Sequence, residues 1–458
     1  MTVDTRALIS SLEAAVQEGN VLSGAALDER HFPGGFRPIV LVRPRTTEEV
    51  AAAVRVCREF DYPIVPHGGM TGLVQGTQLT REEVAISMEL MNRIEEVDVQ
   101  SRTMTVQAGV PLQVVQERAE KEDLLFPLDL GARGSATIGG NVSTNAGGNR
   151  VIRYGMMRDQ ILGMEVVLPD GTIISSMNKI IKNNTGYDLK HLFIGAEGTL
   201  GIVTRLVLRM RALPKSQNMA FIGVQSFQQV TGFLNYIDAA LGGTLSAFEV
   251  LWSDYYHLVT TAPAEHTPPL AYDYGYYILL EAMGGDVEAD GERFLAALGS
   301  ALEEGVIDDA VIAQSQAERD AMWAIRDDVG QLGRNAPIFT FDISVPLSSM
   351  ESYVEELRAS LAAQWEQHTC MVFGHLGDGN LHVIIGNGDG SPESKKAVEA
   401  AVYGGLPSRG GSVSAEHGIG LQKKAYLGMS RSDDEIAVMR MIKQSIDPGG
   451  LFNPGKVF

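Results

Sequence analysis

The chain has 458 residues, 45% of them hydrophobic and 21% charged, the make-up of an ordinary globular protein with room for two or three cores. Its net charge of −20 at pH 7 argues against a nucleic-acid groove or an anionic membrane patch, both of which need concentrated Lys and Arg. Any anionic substrate must therefore find a local cationic pocket. Its two cysteines, Cys57 and Cys370, lie far apart without C-x-x-C spacing, which excludes a disulfide framework or a cysteine zinc site and points to a reducing compartment.

The opening stretch, "MTVDTRALISSLEAAVQEGN", reads as an amphipathic helix that carries acids and lacks the continuous apolar run of a signal peptide. No apolar run approaches the roughly 18 residues of a membrane span, so a cytoplasmic protein is expected. Between 38 and 110, short strand-like runs ("PIVLV", "YPIVP", "EVAISM", "TMTVQAG") surround "TTEEVAAAVRVCREF". That segment predicts a helix with a Thr N-cap and early Glu residues suited to its dipole. Further on, "LGMEVVLPDGTII" predicts a hairpin about Asp170-Gly171, and "GTLGIVTRLVLRM" a strand leaving a glycine turn.

From about 215 to 405, strand-like runs such as "GYYILLEAM" alternate with helical ones, "GERFLAALGSALEEG" and "SSMESYVEELRASLAAQWEQ", giving a second α+β domain. The tail carries a helix, "SDDEIAVMRMIKQSID", and ends in "DPGGLFNPGKVF". Neither an internal repeat nor a low-complexity linker interrupts the chain.

No G-x-G-x-x-G follows a strand, so the dinucleotide fingerprint is missing. "GLFNPGK" at 450 to 456 has the spacing of a phosphate-binding loop up to its lysine, but Val457 replaces the required hydroxyl and no helix follows. What remains is "PHGGMTGLVQG" at 66 to 76, whose glycines let the backbone approach a ligand and whose consecutive N–H groups can form an anion nest suited to diphosphate. A tight surface turn is the plainer reading of that stretch alone. Two more segments join it: "FPLDLGARGSATIGGNVSTNAGGN" at 126 to 149, too polar and glycine-rich for a core strand, and the glycine turn "GAEGTLGIVT" at 195 to 204.

In this order these three segments resemble the FAD domain of the vanillyl-alcohol oxidase superfamily. "FGHLGDGNLH", "SAEHGIG" and the C-terminal "NPGK" extend the likeness over nearly the whole chain, to the D-lactate and D-2-hydroxyglutarate dehydrogenase branch. The resemblance implies an α+β fold: a two-part PCMH-type FAD-binding domain over residues 1–212, an α+β cap over 213–410, and a C-terminal helical segment, 411–458, returning to the FAD domain. It also assigns cofactor residues. Gly68, Gly69, Thr71 and Gly72 would wrap the FAD diphosphate, with Pro66 and His67 ahead of them. Ser135, Thr137, Ile138, Gly139, Gly140 and Asn145 would line flavin and diphosphate, Gly198, Gly201 and Ile202 would hold the adenosine side, and Asn453 of the tail completes the cofactor set. Family members usually carry Arg where His67 stands, and the histidine that binds FAD covalently in some relatives follows the glycine pair. FAD is therefore expected to be non-covalent, with His67 structural or a neighbour of the diphosphate.

"VFGHL" and "NLHVII" are both strand-like, and a two-residue turn on Asp378-Gly379 would pair residues whose numbers sum to 757. His375 and His382 would then be directly opposed, with β carbons about 4.5–5.5 Å apart, close enough to bind one divalent cation or to hydrogen-bond and brace the hairpin. A longer glycine loop would spoil the strict pairing yet still bring the rings together. "VSAEHGIG" offers Glu416 as a third ligand, and three ligands with open positions suit a catalytic metal. The resemblance assigns these three residues to a metal, zinc or manganese. His417 would be the base for a hydroxyl that the cation has acidified, Arg326 in "MWAIRDD" would grip a substrate carboxylate, and Asn380 would donate to the same ligand.

Two positions depart from the hydroxyglutarate pattern: Thr340 stands where that branch carries a lysine, and Gly330 lacks the hydroxyl often found there. Both leave a second carboxylate less well served. The expected function is an FAD- and metal-dependent D-2-hydroxyacid dehydrogenase acting on D-2-hydroxyglutarate, D-lactate or a similar acid by hydride transfer to flavin N5. Its electron acceptor is not named by the sequence, and a homodimer is compatible with it. Two alternatives stand beside it: a non-catalytic flavin-binding electron-relay subunit, for which the hydroxyl-activating set has no use, and an FAD oxidase of uncharged alcohols or sugars, for which Arg326 and a metal are superfluous.

Overall fold

The computed structural model describes residues 5–32 and 35–458. It divides into two compact units: residues 1–147, 156–213 and 416–458 form the first, and 148–155 with 214–415 the second. Among the described residues no helix is long and apolar enough to cross a membrane.

The first unit holds two larger sheets, besides a two-stranded pair of Leu124–Leu125 with Arg211–Ala212. In one, Val40–Val42, Val84–Ser87 and Ile64–His67 run parallel and Val21–Ser23 adds antiparallel at the edge. These strands are short and nearly all buried, as parallel strands covered by helices must be. Helix Thr47–Glu59 packs its Val50, Ala51, Val54 and Cys57 face into the same core. Its cap, Thr46, accepts from the Glu49 N–H at 3.2 Å, as its sequence predicts.

The other sheet is antiparallel, in the order Ile94–Asp98, Thr103–Gln107, Ile202–Arg209, Ile161–Val167, Ile173–Ser176. The last pair is the hairpin expected at Asp170-Gly171, with Gly171 at φ 79°. The tail returns to this unit: Leu451 accepts from the Ile64 N–H at 2.8 Å, and the Asn453 N–H donates to Ile64 at 2.7 Å. Helix Asp433–Ile446 precedes it, started by a Ser432–Glu435 capping box.

The second unit is built on one antiparallel sheet of seven strands, ordered Asp309–Ile312, Ser216–Val224, Tyr276–Gly284, Leu245–Trp252, Thr369–His375, Asn380–Gly386, Ile338–Ser344. Residues 148–155, expected within the FAD-binding domain, group with this unit, and so do 411–415. Backbone bonds between Ser412 and Ser344 tie 411–415 to the sheet, whereas polar side chains tie 148–155. Arg150 reaches the buried Glu281 through Nε at 3.0 Å and Nη2 at 3.2 Å, while Arg153 donates to the carbonyls of Thr244 and Met283. Burial pushes the Glu281 carboxyl up, but Arg150 and the donors Ser246 and Gln217 outweigh it and hold it below the ordinary range. Removing one partner of such a pair leaves a buried charge uncompensated.

Candidate active site

In the first unit three glycine turns meet around a cleft with about 910 Å³ of atom-free space, counting the part open to solvent. Pro66, His67, Gly68, Gly69, Thr71, Gly72, Thr137, Gly139, Gly140, Gly198, Gly201, Ile202 and Asn453 line it, and so does His417. Two of the glycines serve different ends. A Cβ at Gly69 would lie 2.0 Å from the Ser135 carbonyl oxygen, so that glycine is required by the protein's own packing, whereas one at Gly72 would meet nothing within 4 Å and leaves room for a ligand.

Three expected cofactor residues do not line the cleft. Ile138 is fully buried in the hydrophobic core. Ser135 is exposed, and its carbonyl backs Gly69. Asn145 caps helix Ile138–Thr144 in the left-handed region at φ 51° and accepts from the Arg158 N–H at 2.9 Å.

FAD fits this cleft. Its walls are backbone and small side chains, and His67 Nδ1, Asn141 Nδ2 and Asn453 Oδ1 are buried polar atoms that find no protein partner among the described residues, as a polar ligand's neighbours would. His67 is 1% exposed and its Nε2–H donates to the Thr77 carbonyl at 3.2 Å. Burial, set against that bond, lowers its pKa to about 4, so the ring is neutral. The Asn453 amide donates to the carbonyls of Gly76 at 3.0 Å and Glu197 at 2.7 Å, stitching two of the glycine turns together. Glu197 in turn accepts from the N–H groups of Ile419 (2.7 Å) and Gly420 (2.8 Å). It thereby holds the turn that carries Glu416 and His417, in which Gly418 takes a left-handed φ of 84° that favours glycine.

In the second unit strand register gathers the other candidates on one sheet face. Glu249 pairs with His375, Phe373 with His382, and His382 with Asp342, and directly paired residues share a face. The observed pairing sums to 755, so the strict two-residue turn is corrected. A single 3₁₀ turn, Leu376–Asp378, connects the strands, and only Gly379 is left-handed, at φ 82°. A two-residue turn of the expected kind needs positive φ at both central positions. The rings nevertheless meet: their centroids are 5.2 Å apart and their Nε2 atoms 3.4 Å.

One carboxylate organises this group. Glu249 is 1% exposed; its Oε1 lies 2.6 Å from His375 Nδ1 and its Oε2 accepts from Arg326 Nε at 2.8 Å. Burial alone would raise the Glu249 carboxyl, but the imidazole and guanidinium beside it win and hold it down to about 2. Arg326 sits in the last turn of helix Gln316–Asp327, over the Phe373 ring at 5.3 Å. Its burial disfavours charge, but Glu249 and Asp327 more than offset that. His375 Nδ1 faces an atom that only accepts, and its Nε2 lies 3.2 Å from an Arg326 Nη2 that only donates, so these partners assign the ring proton to Nδ1.

Asn380 requires a correction. Its Nδ2 is committed to Asp342 Oδ1 at 2.8 Å and the Ile343 carbonyl at 3.0 Å, so it has no donor to offer; its remaining group is Oδ1, an acceptor without a protein partner among the described residues. Thr340 is exposed on the edge strand Ile338–Ser344.

The metal expectation divides between the units. His375 and His382 belong to the second and Glu416 to the first. No group of three or more His, Cys, Asp or Glu side chains among the described residues is arranged to hold a metal. The imidazole pair itself fits one, because two ligands about 2.1 Å from a tetrahedral ion lie about 3.4 Å apart.

Sequence reasoning passed over Glu249 and Glu197. The signal for the first was present: a single acid inside an apolar strand, "LSAFEVLW", must be paired where it is buried.

Comparison with known proteins agrees with this division of labour. The family model "FAD binding domain" matches residues 38–176, and "FAD linked oxidases, C-terminal domain" matches 213–457. The chain is 38% identical over 424 residues to the mitochondrial D-2-hydroxyglutarate dehydrogenase of Bos taurus, covering 91% of this chain and 76% of that protein. It is also 38% identical over 427 residues to the D-2-hydroxyglutarate dehydrogenase of Xanthomonas citri pv. viticola, covering 92% and 89%. Among solved structures, p-cresol methylhydroxylase with substrate bound superposes with a TM-score of 0.76 at 16% identity, over 100% of this chain and 97% of that one, a likeness of fold. On this evidence the chain belongs to the FAD-linked oxidases, in the D-lactate and D-2-hydroxyglutarate dehydrogenase branch of the vanillyl-alcohol oxidase superfamily.

Proposed function

We propose that this protein oxidises a D-2-hydroxy acid to the 2-oxo acid, using non-covalent FAD and one divalent cation, zinc or manganese. One observation carries the reading: a buried arginine, Arg326, stands beside two convergent imidazoles on one sheet face, in a chain whose other unit supplies a flavin cleft. The names of the relatives support the same substrate class.

The substrate loses a hydride from C2 and a proton from its hydroxyl. Bound FAD supplies the hydride acceptor, at flavin N5. A cation held by His375 and His382, with Glu416 as the third ligand that the resemblance supplies, would lower the hydroxyl pKa. Arg326 grips and orients the carboxylate through the planar fork of its guanidinium. His417, which lines the flavin cleft, takes the hydroxyl proton. Asn380 supports the site through its Oδ1 acceptor.

Thr340 favours a further narrowing. An exposed hydroxyl at the position of the branch's lysine offers no cation to a distal carboxylate, which suits acids with one carboxylate better than hydroxyglutarate. An oxidase of uncharged alcohols is less well supported, because the named relatives are dehydrogenases of a 2-hydroxy acid.

Anaerobic bleaching of the flavin across D- and L-2-hydroxy acids of graded length tests this directly. Reduction by D enantiomers, fastest with a single carboxylate, is expected. Bleaching by uncharged alcohols but by no 2-hydroxy acid would overturn the reading.

A further inference from the structure

Glu249 makes two contacts at once, and both are buried. Each carboxylate oxygen has a different partner: Oε1 takes His375 Nδ1 at 2.6 Å and Oε2 takes Arg326 Nε at 2.8 Å. All three side chains are buried, at 1%, 5% and 7% exposure for Glu249, His375 and Arg326. The backbone fixes the arrangement, since Glu249 and His375 are register partners on neighbouring strands, and Tyr255 Oη donates to the Arg326 carbonyl at 3.0 Å, holding the helix end from which the guanidinium projects.

We infer that Glu249 is the positioning residue of the site, setting the tautomer of His375 for the cation and the plane of Arg326 for the substrate carboxylate. A carboxylate on Nδ1 places the imidazole proton there and leaves the His375 Nε2 lone pair for a cation, 3.4 Å from His382 Nε2. The same carboxylate on Nε occupies one edge of the guanidinium; Nη1 donates to Asp327 Oδ1 at 3.2 Å, and the remaining hydrogens of Nη1 and Nη2 are left for a ligand. Nη2 now lies 3.2 Å from His375 Nε2, the atom a cation would take. A cation on that atom would displace the Nη2 contact and free Nη2 for the substrate, while Nε would stay on Glu249.

This inference rests on the proposed function, and two measurements separate the two. Zinc chloride is titrated into metal-free, FAD-loaded full-length protein and into its Glu249→Gln variant, against a chromogenic chelator. Turnover of the 2-hydroxy acid that bleaches the flavin best is then measured at saturating zinc. The amide keeps the shape but can satisfy only one of its two donors. The variant is expected to bind zinc about 10- to 100-fold more weakly. At saturating zinc its kcat should recover to within a few-fold, while KM stays raised by roughly 10-fold because Arg326 has lost its anchor.

A wild type that binds zinc, with a variant equal to it in both zinc affinity and KM, would overturn the role of Glu249 and leave the proposed function standing. A wild type that binds no zinc would overturn the metal reading and this inference with it. If Glu249→Gln fails to fold, long-range ¹⁵N–¹H correlation of the metal-free wild type decides instead, with the signal assigned by loss in His375→Gln. A His375 proton on Nδ1 is expected, and one on Nε2 would sink the assignment.

Discussion

At the scale of single residues, the most informative positions are polar groups in apolar surroundings. Glu165, Glu249 and Glu281 each stand within a strand whose neighbours are buried, and each is paired: with Thr47 and Arg205, with His375 and Arg326, and with Arg150. A carboxylate left unpaired in such a place would cost several kcal/mol, so each acid marks where another element must deliver a partner. His67 is the converse, a buried base kept neutral. Its folded pKa, lowered to about 4 from 6.5, means that the unfolded chain binds more protons between those two values. Stability is therefore complete above about pH 6.5 and falls as pH drops toward 4, by on the order of 3 kcal/mol from this residue. Urea midpoints compared at pH 7.5 and 5 should show that loss, and His67→Gln should flatten it; an acid limb unchanged by the substitution would contradict the assignment.

At the scale of elements, local pattern and long-range stitching divide the credit. The helix at Thr47–Glu59, the hairpin about Asp170-Gly171 and the capped helix Asp433–Ile446 were legible because period and cap chemistry are local. The hairpin bearing His375 and His382 was legible as a hairpin but not in register, since the choice between a two-residue turn and a 3₁₀ turn depends on the φ that Asp378 adopts. The meeting of the rings survived that error because both residues flank the turn. The glycine turns were legible as a ligand cradle, and thirteen of the sixteen expected cofactor residues line the cleft. What holds the turns together was not, because Asn453 and Glu197 act across the chain on backbone groups that carry no sequence signature. Exchange of Asn453 for Asp tests this, since a carboxylate would face the carbonyls of Gly76 and Glu197 where an amide now donates. A loss of about 3 kcal/mol or more and an FAD Kd raised at least about 10-fold are expected, read by denaturant melts and flavin titration. Undiminished FAD affinity would show that the clamp does not shape the cleft.

At the scale of the whole molecule, the chain carries its chemistry in two separately packed units. One supplies the flavin cleft with His417 on its wall, and the other supplies Arg326, His375 and His382 through strand register. The sequence announces both halves, but neither the excursion of residues 148–155 into the second unit nor the Arg150–Glu281 pair that holds it there could be read from local pattern. The central claim is that His417 takes the hydroxyl proton of a 2-hydroxy acid while flavin is reduced. Single-turnover flavin reduction, in wild type and in FAD-loaded His417→Asn with the preferred D-2-hydroxy acid, tests it most directly. The expected result is a rate lowered about 100-fold or more with FAD retained, and an unchanged rate would contradict the account.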